Sequence, residues 1–394
     1  MVRRLRSFMR VAWLTPYLPF PENTGGRIRI ARLATGLANR AELSLFSCVS
    51  QHDRDVTLSG PAFEPWSHVH TVPRVESLGM LRMKPDPARR MPTELGRALA
   101  EQDAKAPFDA VVVEHCYAIE VLPALRRAAV VLDEHNIESD YYRRAAARAP
   151  HKLLEYWSWR RYERAAWRRA DQVVTVSERD AQVVQGELPG KGVDVSNGTR
   201  FDAFKFVKPS ERRGSAILYV GMMDYGPNIQ AARTLALEVL PQVKKVVPEA
   251  TLTLCGRGAG KEVRALASDS VRVTGTLPEV FSIFDQHAAY AMPLQHGAGS
   301  SLKVLEPLAA GLPLVASSFG VRGYHLHDSE YLPAEDVAGF ARGLIQILTQ
   351  RAELDAMAER GRKAAQRYSW EGLGTRFADV VERAIAARGG RDAA

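Results

Sequence analysis

The chain runs twice through one alternation: a short apolar segment, then a longer helical one. In the first half the expected strands are Arg10–Leu14, Glu42–Cys48, Val69–Val72, Ala110–Glu114, Val130–Asp133 and Gln172–Val176. Helices fill the gaps, notably Arg27–Ala38 and Glu138–Ala170. In the second half the strands are Ala216–Val220, Thr251–Cys255, Val271–Thr274, Ala288–Met292 and Pro313–Ala316. A strand apolar on both faces must be covered on both, which marks a parallel sheet flanked by helices. The expected fold is therefore α/β, with two Rossmann-like doubly wound parallel sheets. A chain of 394 residues suits two domains, since each commonly takes ~100–200. The expected domains are 1–205 and 214–370. The segment Phe201–Gly214 is polar and basic, contains Pro209 and follows the turn signal Asn197-Gly198, so it reads as the linker. Ligands of open α/β sheets sit beyond the carboxyl ends of the strands. Two such sheets facing each other leave a cleft, and the motifs below follow expected strands on that side.

Composition excludes some classes. Apolar content of 46% and charged content of 25% are those of an ordinary globular protein. The net charge of +8 admits phosphorylated ligands, an anionic membrane surface or nucleic acid as partners. Cys48, Cys116 and Cys255 are far apart with no CxxC pair, which argues against a disulfide framework or a zinc site and fits a reducing cytoplasm. The arginines of Met1–Arg10 precede an apolar run that stops at Thr15-Pro16, short of the ~7–15 residues of a signal-peptide core. Val11–Leu14 reads instead as the first buried strand. No stretch offers the ~20 apolar residues of a membrane-spanning helix.

The most informative stretch is Leu294–Ser317. It joins a glycine loop, a helix start with Lys303 and Glu306, a glycine stop at Gly311 and an apolar strand. Glycines let backbone amides approach an anion, and a helix N-terminus adds roughly half a positive charge. Lys303 adds a full charge, and Glu306 can accept from paired hydroxyls such as those of a ribose. The stretch therefore looks built for a sugar nucleotide. Pro307 sits awkwardly in the expected helix, which is either kinked there or starts later than Ser301. The alternative is a structural Glu306 on a solvated face.

Other motifs are weaker. Gly25-Gly26-Arg27 opens a helix after the first strand, as a phosphate loop or as a plain turn. Asp133-Glu-His-Asn-Ile-Glu-Ser139 crowds polar groups at a strand end, where His135 can bond a sugar hydroxyl. Its alternative is a helix start capped by Ser139 or Asn136. Glu114-His115 is similar but weaker. Gly221–Asn228 and Cys255-Gly-Arg-Gly-Ala-Gly260 are further strand-end loops; the second lacks the full dinucleotide spacing. Tyr141–Ala170 is dense in arginine, including Arg143, Arg144, Arg160, Arg161, Arg164 and Arg168, with Trp157, Trp159, Tyr162 and Trp167 interleaved. That composition serves an anionic membrane, serves nucleic acid, or packs its aromatics on a sheet.

Taken in order, these motifs resemble the retaining GT-B glycosyltransferases of family four, nearly end to end. The resemblance rests on Leu14-Thr-Pro-Tyr-Leu-Pro, Gly25-Gly26-Arg27, Asp133–Ser139, Val174-Thr-Val-Ser, Ser196-Asn-Gly, Tyr219-Val-Gly, Pro227-Asn228, Cys255-Gly-Arg-Gly, Gly297–Pro313 and Ser369-Trp370-Glu371. It is closest to the bacterial subset whose loop reads Gly-x-Gly-x-x-Leu-Lys-x-Leu-Glu. It implies transfer of a sugar from a nucleotide-diphosphate donor with retained configuration, no cofactor and no metal. It also implies that residues 371–394 cross back onto the first domain. Glu306 would bind the donor ribose, and the Gly299, Ser300 and Ser301 amides would face the diphosphate. His135 would contact the sugar, and Gly25 and Gly26 would close the phosphate side. Gly221, Gly297, Ala298 through its backbone amide, and Leu302 complete the expected donor site. Two departures stand out. Ala298 occupies the place of an earlier glutamate, and Met222 and Asn228 stand where relatives often have Arg and Lys. Lys303, with Arg27 or Arg257, is expected to supply that charge. The expected catalytic residues are His135, Lys303 and Glu306. The expected acceptor is a glycan, a lipid-linked sugar or a small metabolite. The expected location is cytoplasmic, with an anionic membrane surface contacted through Tyr141–Ala170 and no nucleic acid. The alternatives are a nucleotide-sugar 2-epimerase and a non-catalytic basic binding protein.

Overall fold

The computed structural model describes residues 8–392, apart from 51–52, 54–55, 57, 61–62, 76–84, 126, 148, 278–280 and 298–300. The chain forms two compact units, Met1–Ser196 with Glu371–Ala394, and Asn197–Trp370.

Unit 1 is built on a sheet of seven parallel strands: β1 (Met9–Thr15), β2 (Ala41–Val49), β3 (Trp66–Pro73), β4 (Ala110–Glu114), β5 (Ala129–Glu134), β6 (Gln172–Thr175) and β7 (Gly192–Asp194). Their order is β3-β2-β1-β4-β5-β6-β7. Every residue of β4 and β5 is buried, because helices cover both faces. Three helices position the residues that matter: α1 (Gly25–Ala38), α2 (Glu138–Ala146) and α3 (Leu153–Arg169). The α1 helix starts where the Thr24 side chain accepts from the Arg27 amide. It buries Ile30, Leu33, Ala34 and Leu37.

Unit 2 repeats the plan with six parallel strands: β8 (Ala216–Val220), β9 (Thr251–Cys255), β10 (Val271–Gly275), β11 (Ala289–Met292), β12 (Leu314–Ala316) and β13 (Leu332–Pro333). Their order is β10-β9-β8-β11-β12-β13. Its site carries α4 (Gly226–Thr234) and the short α5 (Leu305–Ala309). In each sheet the winding reverses once, between β1 and β4 and between β8 and β11. Those reversals open crevices at the carboxyl edge, where doubly wound sheets bind ligands.

The last helix, α6 (Trp370–Asp392), belongs almost wholly to unit 1. It crosses α1 at a glycine pair: a Cβ on Gly374 would lie 2.8 Å from the Cα of Gly36, so both positions exclude a side chain. Phe377 then stacks on Trp13 at 5.5 Å.

Three expectations need correction. The segment Glu138–Ala170 is two helices, not one. Ala149 is extended ahead of Pro150, because proline disfavours helical backbone in the residue before it, and a short 3₁₀ turn at Pro150–Lys152 restarts the helix. The α2 start is capped by neither Ser139 nor Asn136. Glu163 reaches over from α3 and accepts from the Glu138 and Ser139 amides, the latter at 3.1 Å. Finally, Phe201–Gly214 is no free linker; it lies inside unit 2. Phe204 packs edge-on against Phe281 and Phe284, and buried Arg212 donates to the carbonyls of Phe284, His287 and Ala310. A guanidinium that satisfies three carbonyls is structural despite its polar sequence context.

Candidate functional site

Unit 1 gathers an ionised cluster at its β1/β4 reversal. Arg29 lies on the inner face of α1 and is fully buried. Its guanidinium donates to both carboxylate oxygens of Asp133, at 2.8 and 2.6 Å, and to the Val195 carbonyl at 2.8 Å. Glu114, the last residue of β4, accepts from the Trp13 indole at 2.6 Å and meets Nε2 of His135 at 2.6 Å. Asp133 lies 3.7 Å from the same nitrogen. Burial opposes charge on the His135 ring, but contact with Asp133 and Glu114 outweighs it and lifts the pKa to about 9. Burial would likewise raise the Asp133 carboxyl; Arg29 reverses this and holds it well below the usual range. Burial, then the charge on Asp133, raises the Glu114 carboxyl above its ordinary range, while the contacts with His135 and Trp13 pull it back; opposite charges set side by side are how buried charge is tolerated.

His115 borders this cluster. Its φ of 63° makes it the one non-glycine residue with positive φ among the described residues. Its ring lies 4.1 Å from that of His135 and stacks on Tyr117 at 4.9 Å. The Tyr17 hydroxyl and its Nε2 are hydrogen-bonded at 2.9 Å. Burial, then the charge on His135, pushes the His115 pKa well below its ordinary value, so it stays neutral beside a charged neighbour. Gly26 closes the arrangement. A Cβ there would collide with the Tyr17 hydroxyl and come within 3.1 Å of His135 Nδ1. Gly25 is exposed at the start of α1. Arg27 is committed elsewhere, to Asp53 and the Phe20 carbonyl, both at 2.7 Å. Glu114, Asp133 and His135 each place one ligand-type atom within 4.8 Å of the others. A cation there would have to displace the Arg29 guanidinium from Asp133.

Unit 2 brings three strand-end loops together at its β8/β11 reversal. The loops after β8 and β9 are joined by hydrogen bonds from Gly221 N–H to the Cys255 carbonyl (2.9 Å) and from Met223 N–H to the Arg257 carbonyl (2.7 Å). Gly256 has a φ of 147°, and a Cβ there would overlap the Gly221 carbonyl, so only glycine fits. The loop after β11 reaches the first of these. A Cβ on Gly297, whose φ is 145°, would lie 3.2 Å from the Tyr225 hydroxyl and 3.8 Å from Pro227. Asn228, near the start of α4, holds the β8 loop, donating to the Met222 carbonyl and accepting from Tyr219. Arg257 is exposed, with Met222 Sδ 3.3 Å from its guanidinium.

Lys303 lies in a 3₁₀ turn, Leu302–Val304, that leads into α5. Ser301 precedes the turn in extended conformation. Lys303 Nζ donates to both oxygens of Glu306, at 2.9 and 3.1 Å. The Lys303 side chain is 32% exposed and that of Glu306 13%, so the pair lies at a surface without being free in solvent. Because the helix begins after the 3₁₀ turn, Pro307 falls in its first turn, where a missing N–H costs little. Gly311, at φ 68°, ends it. Ala298, Gly299 and Ser300 lie outside the described residues.

Both units match glycosyltransferase domains. Residues 24–192 match the Glycosyl transferase 4-like domain and residues 214–350 match Glycosyl transferases group 1. Each match covers less than half of the chain, and together they span most of it. The two parallel-sheet units make up a GT-B fold, and each is similar in sequence to a glycosyltransferase domain. Among curated proteins it is similar to phosphatidyl-myo-inositol mannosyltransferase of Mycobacterium leprae, 24% identical over 220 residues, or 53% of this chain and 58% of that one. The chain spans a little over half the length of the curated relatives it matches. Among solved structures it is similar to sucrose-phosphate synthase from Thermosynechococcus elongatus, with a TM-score of 0.68, 17% identity, and 96% and 100% of the two chains covered. Anabaena HepE, solved with UDP and glucose, gives 0.63, 13%, and 95% and 99%. At these identities the structures bear on fold alone.

Proposed function

We propose that this chain transfers a sugar from a nucleotide-diphosphate donor to an acceptor hydroxyl, with retained configuration and without a metal. The observation that carries this reading is the Lys303–Glu306 pair, close enough for both charges to act on Cys255 at the end of β9, where the loops of unit 2 join. An ion pair of this exposure is worth at most about 1 kcal/mol, so a ligand separates it cheaply. Once apart, Lys303 meets the diphosphate and Glu306 accepts from the ribose hydroxyls. Arg257, in the β9 loop that is bonded to the β8 loop, is a candidate for a second cation. Arg27 is less suited, being neutralised by Asp53. The UDP and glucose held by Anabaena HepE support a donor of this class.

The chemistry follows from charge. As the sugar–phosphate bond breaks, negative charge grows on the leaving diphosphate, and a fixed cation there is commonly the largest catalytic contribution. The leaving phosphate then takes the acceptor proton. His135, held protonated by its carboxylates, can donate a hydrogen bond to the sugar. The acceptor is a glycan, a lipid-linked sugar or a small metabolite. We place the protein in the cytoplasm, where nucleotide sugars are made.

A thermal-shift screen of nucleotide sugars tests this, since a ligand that binds only the folded state raises apparent stability. The stabilising compound is then incubated with candidate acceptors and the anomeric configuration of the product read by NMR. Transfer with retention is expected. Release of an altered free sugar from donor alone would instead make the protein an epimerase. An intact protein stabilised by no nucleotide sugar would overturn the reading.

A further inference from the structure

The α3 helix divides its aromatic residues between two faces. Trp159 and Trp167 point inward, with Ala166 and the capping carboxylate of Glu163. That face is explained by packing. The opposite stripe is not. Leu154, Trp157, Arg161 and Arg168 follow one another at helical spacing and are all exposed. Leu154 is 81% exposed, Trp157 56% and the adjoining Leu153 48%. Three large apolar side chains open to water within five residues form a patch, not a scattering.

We propose that this stripe docks the protein on a bilayer containing anionic phospholipid. The apolar residues occupy the first helical turns, just after the 3₁₀ turn at Pro150–Lys152. The arginines continue along the same side, and the stripe from Leu154 to Arg168 runs roughly 20 Å, at about 1.5 Å per residue. Among the described residues, Arg161 and Arg168 have no carboxylate partner, so their charge is available. Arg160 lies over the Trp157 ring at 5.4 Å, in the arrangement of a cation held at head-group depth above an inserted indole. The local acids are already engaged: Glu155 with Lys152, and Glu187 with Arg164. An apolar edge continued by unpaired arginines matches an interfacial helix. No helix among the described residues is long and apolar enough to cross a membrane. Docking at the surface is therefore what α3 itself supports. This inference stands apart from the sugar-transfer reading and is tested without donor or acceptor.

The test is flotation of the full chain with vesicles of phosphatidylcholine alone, or of equal parts phosphatidylcholine and phosphatidylglycerol. The wild type is expected to float with the anionic vesicles and to be released by high salt. Leu154→Ser combined with Trp157→Ser should weaken binding at least ~10-fold, since interfacial affinity scales with buried apolar area. Arg161→Glu with Arg168→Glu should do the same while leaving the melting temperature unchanged, because both side chains are exposed. Lipids brominated in their acyl chains should quench wild-type tryptophan fluorescence, and Trp157→Phe should lose that quenching. Wild type that stays unbound on anionic vesicles at low salt would overturn the proposal. So would equal binding by the Leu154/Trp157 variant, or binding to a DNA duplex without binding to vesicles.

Discussion

The Nε2 of His135 and the carboxylate of Glu114 stand 2.6 Å apart at the carboxyl edge of the first sheet, both buried. With Asp133 they keep the imidazole charged up to about pH 9. Glu114→Gln should bring the His135 titration down towards the ordinary ~6.5, read from its ring resonances by NMR. An unchanged midpoint would contradict the pairing.

The same contact makes stability depend on pH. The folded state holds the His135 proton more tightly than an unfolded chain does, so the stabilisation is complete below ~6.5 and is lost as pH rises through about 9. Wild-type protein should lose melting temperature across that interval. A His135→Gln variant, which has no ring to deprotonate, should lose less.

Among the described residues, Arg29 and Asp133 form the most deeply buried ion pair of unit 1, with 1% and 0% of their side chains exposed. Arg29→Met strands a carboxylate and should cost about 3–5 kcal/mol in urea unfolding. Adding Asp133→Asn should recover part of the loss. A cost below ~1 kcal/mol would mean that the pair carries little of the stability.

Gly26 is small because Tyr17 and His135 lie against it. Gly26→Ala should displace the Tyr17 hydroxyl from His115, lowering transfer activity with a modest change in melting temperature. Full activity would show that this contact is dispensable.

Lys303→Ala should lower turnover by ~100-fold or more, the scale seen when a group facing developing charge is removed. Donor affinity should fall as well. Near wild-type turnover would remove Lys303 from the catalytic set.

Both sheets were legible because buried parallel strands are written as unbroken apolar runs such as Ala110–Val113. The strands missed, β7 and β13, span only Gly192–Asp194 and Leu332–Pro333 at sheet edges, too short for any periodicity to register. That His135, Lys303 and Glu306 follow strands was legible, and their roles are what the assays of transfer and binding decide. Arg29, Trp13 and Tyr17 were not legible. A strand tryptophan looks like core, and a helix arginine looks like surface. The missed signal was spacing: Arg29 shares the inner stripe of α1 with Leu33 and Leu37, where a charge needs a buried partner. Glu163 carries the same signal on α3, between Trp159 and Trp167. The caps and the helix break were illegible for another reason. Glu163 reaches α2 through tertiary contact, and Pro150 was absorbed into a long basic run.

Calorimetric titration with uridine, adenosine and guanosine diphosphates, and with the 2′,3′-dideoxy analogue of whichever binds, shows whether Glu306 grips the ribose. One diphosphate should bind wild type, its dideoxy analogue should bind at least ~10-fold more weakly because hydrogen bonds to a charged acceptor are lost, and Glu306→Ala should no longer distinguish the two. Equal affinity of wild type for both forms, or undiminished discrimination by Glu306→Ala, would contradict that role.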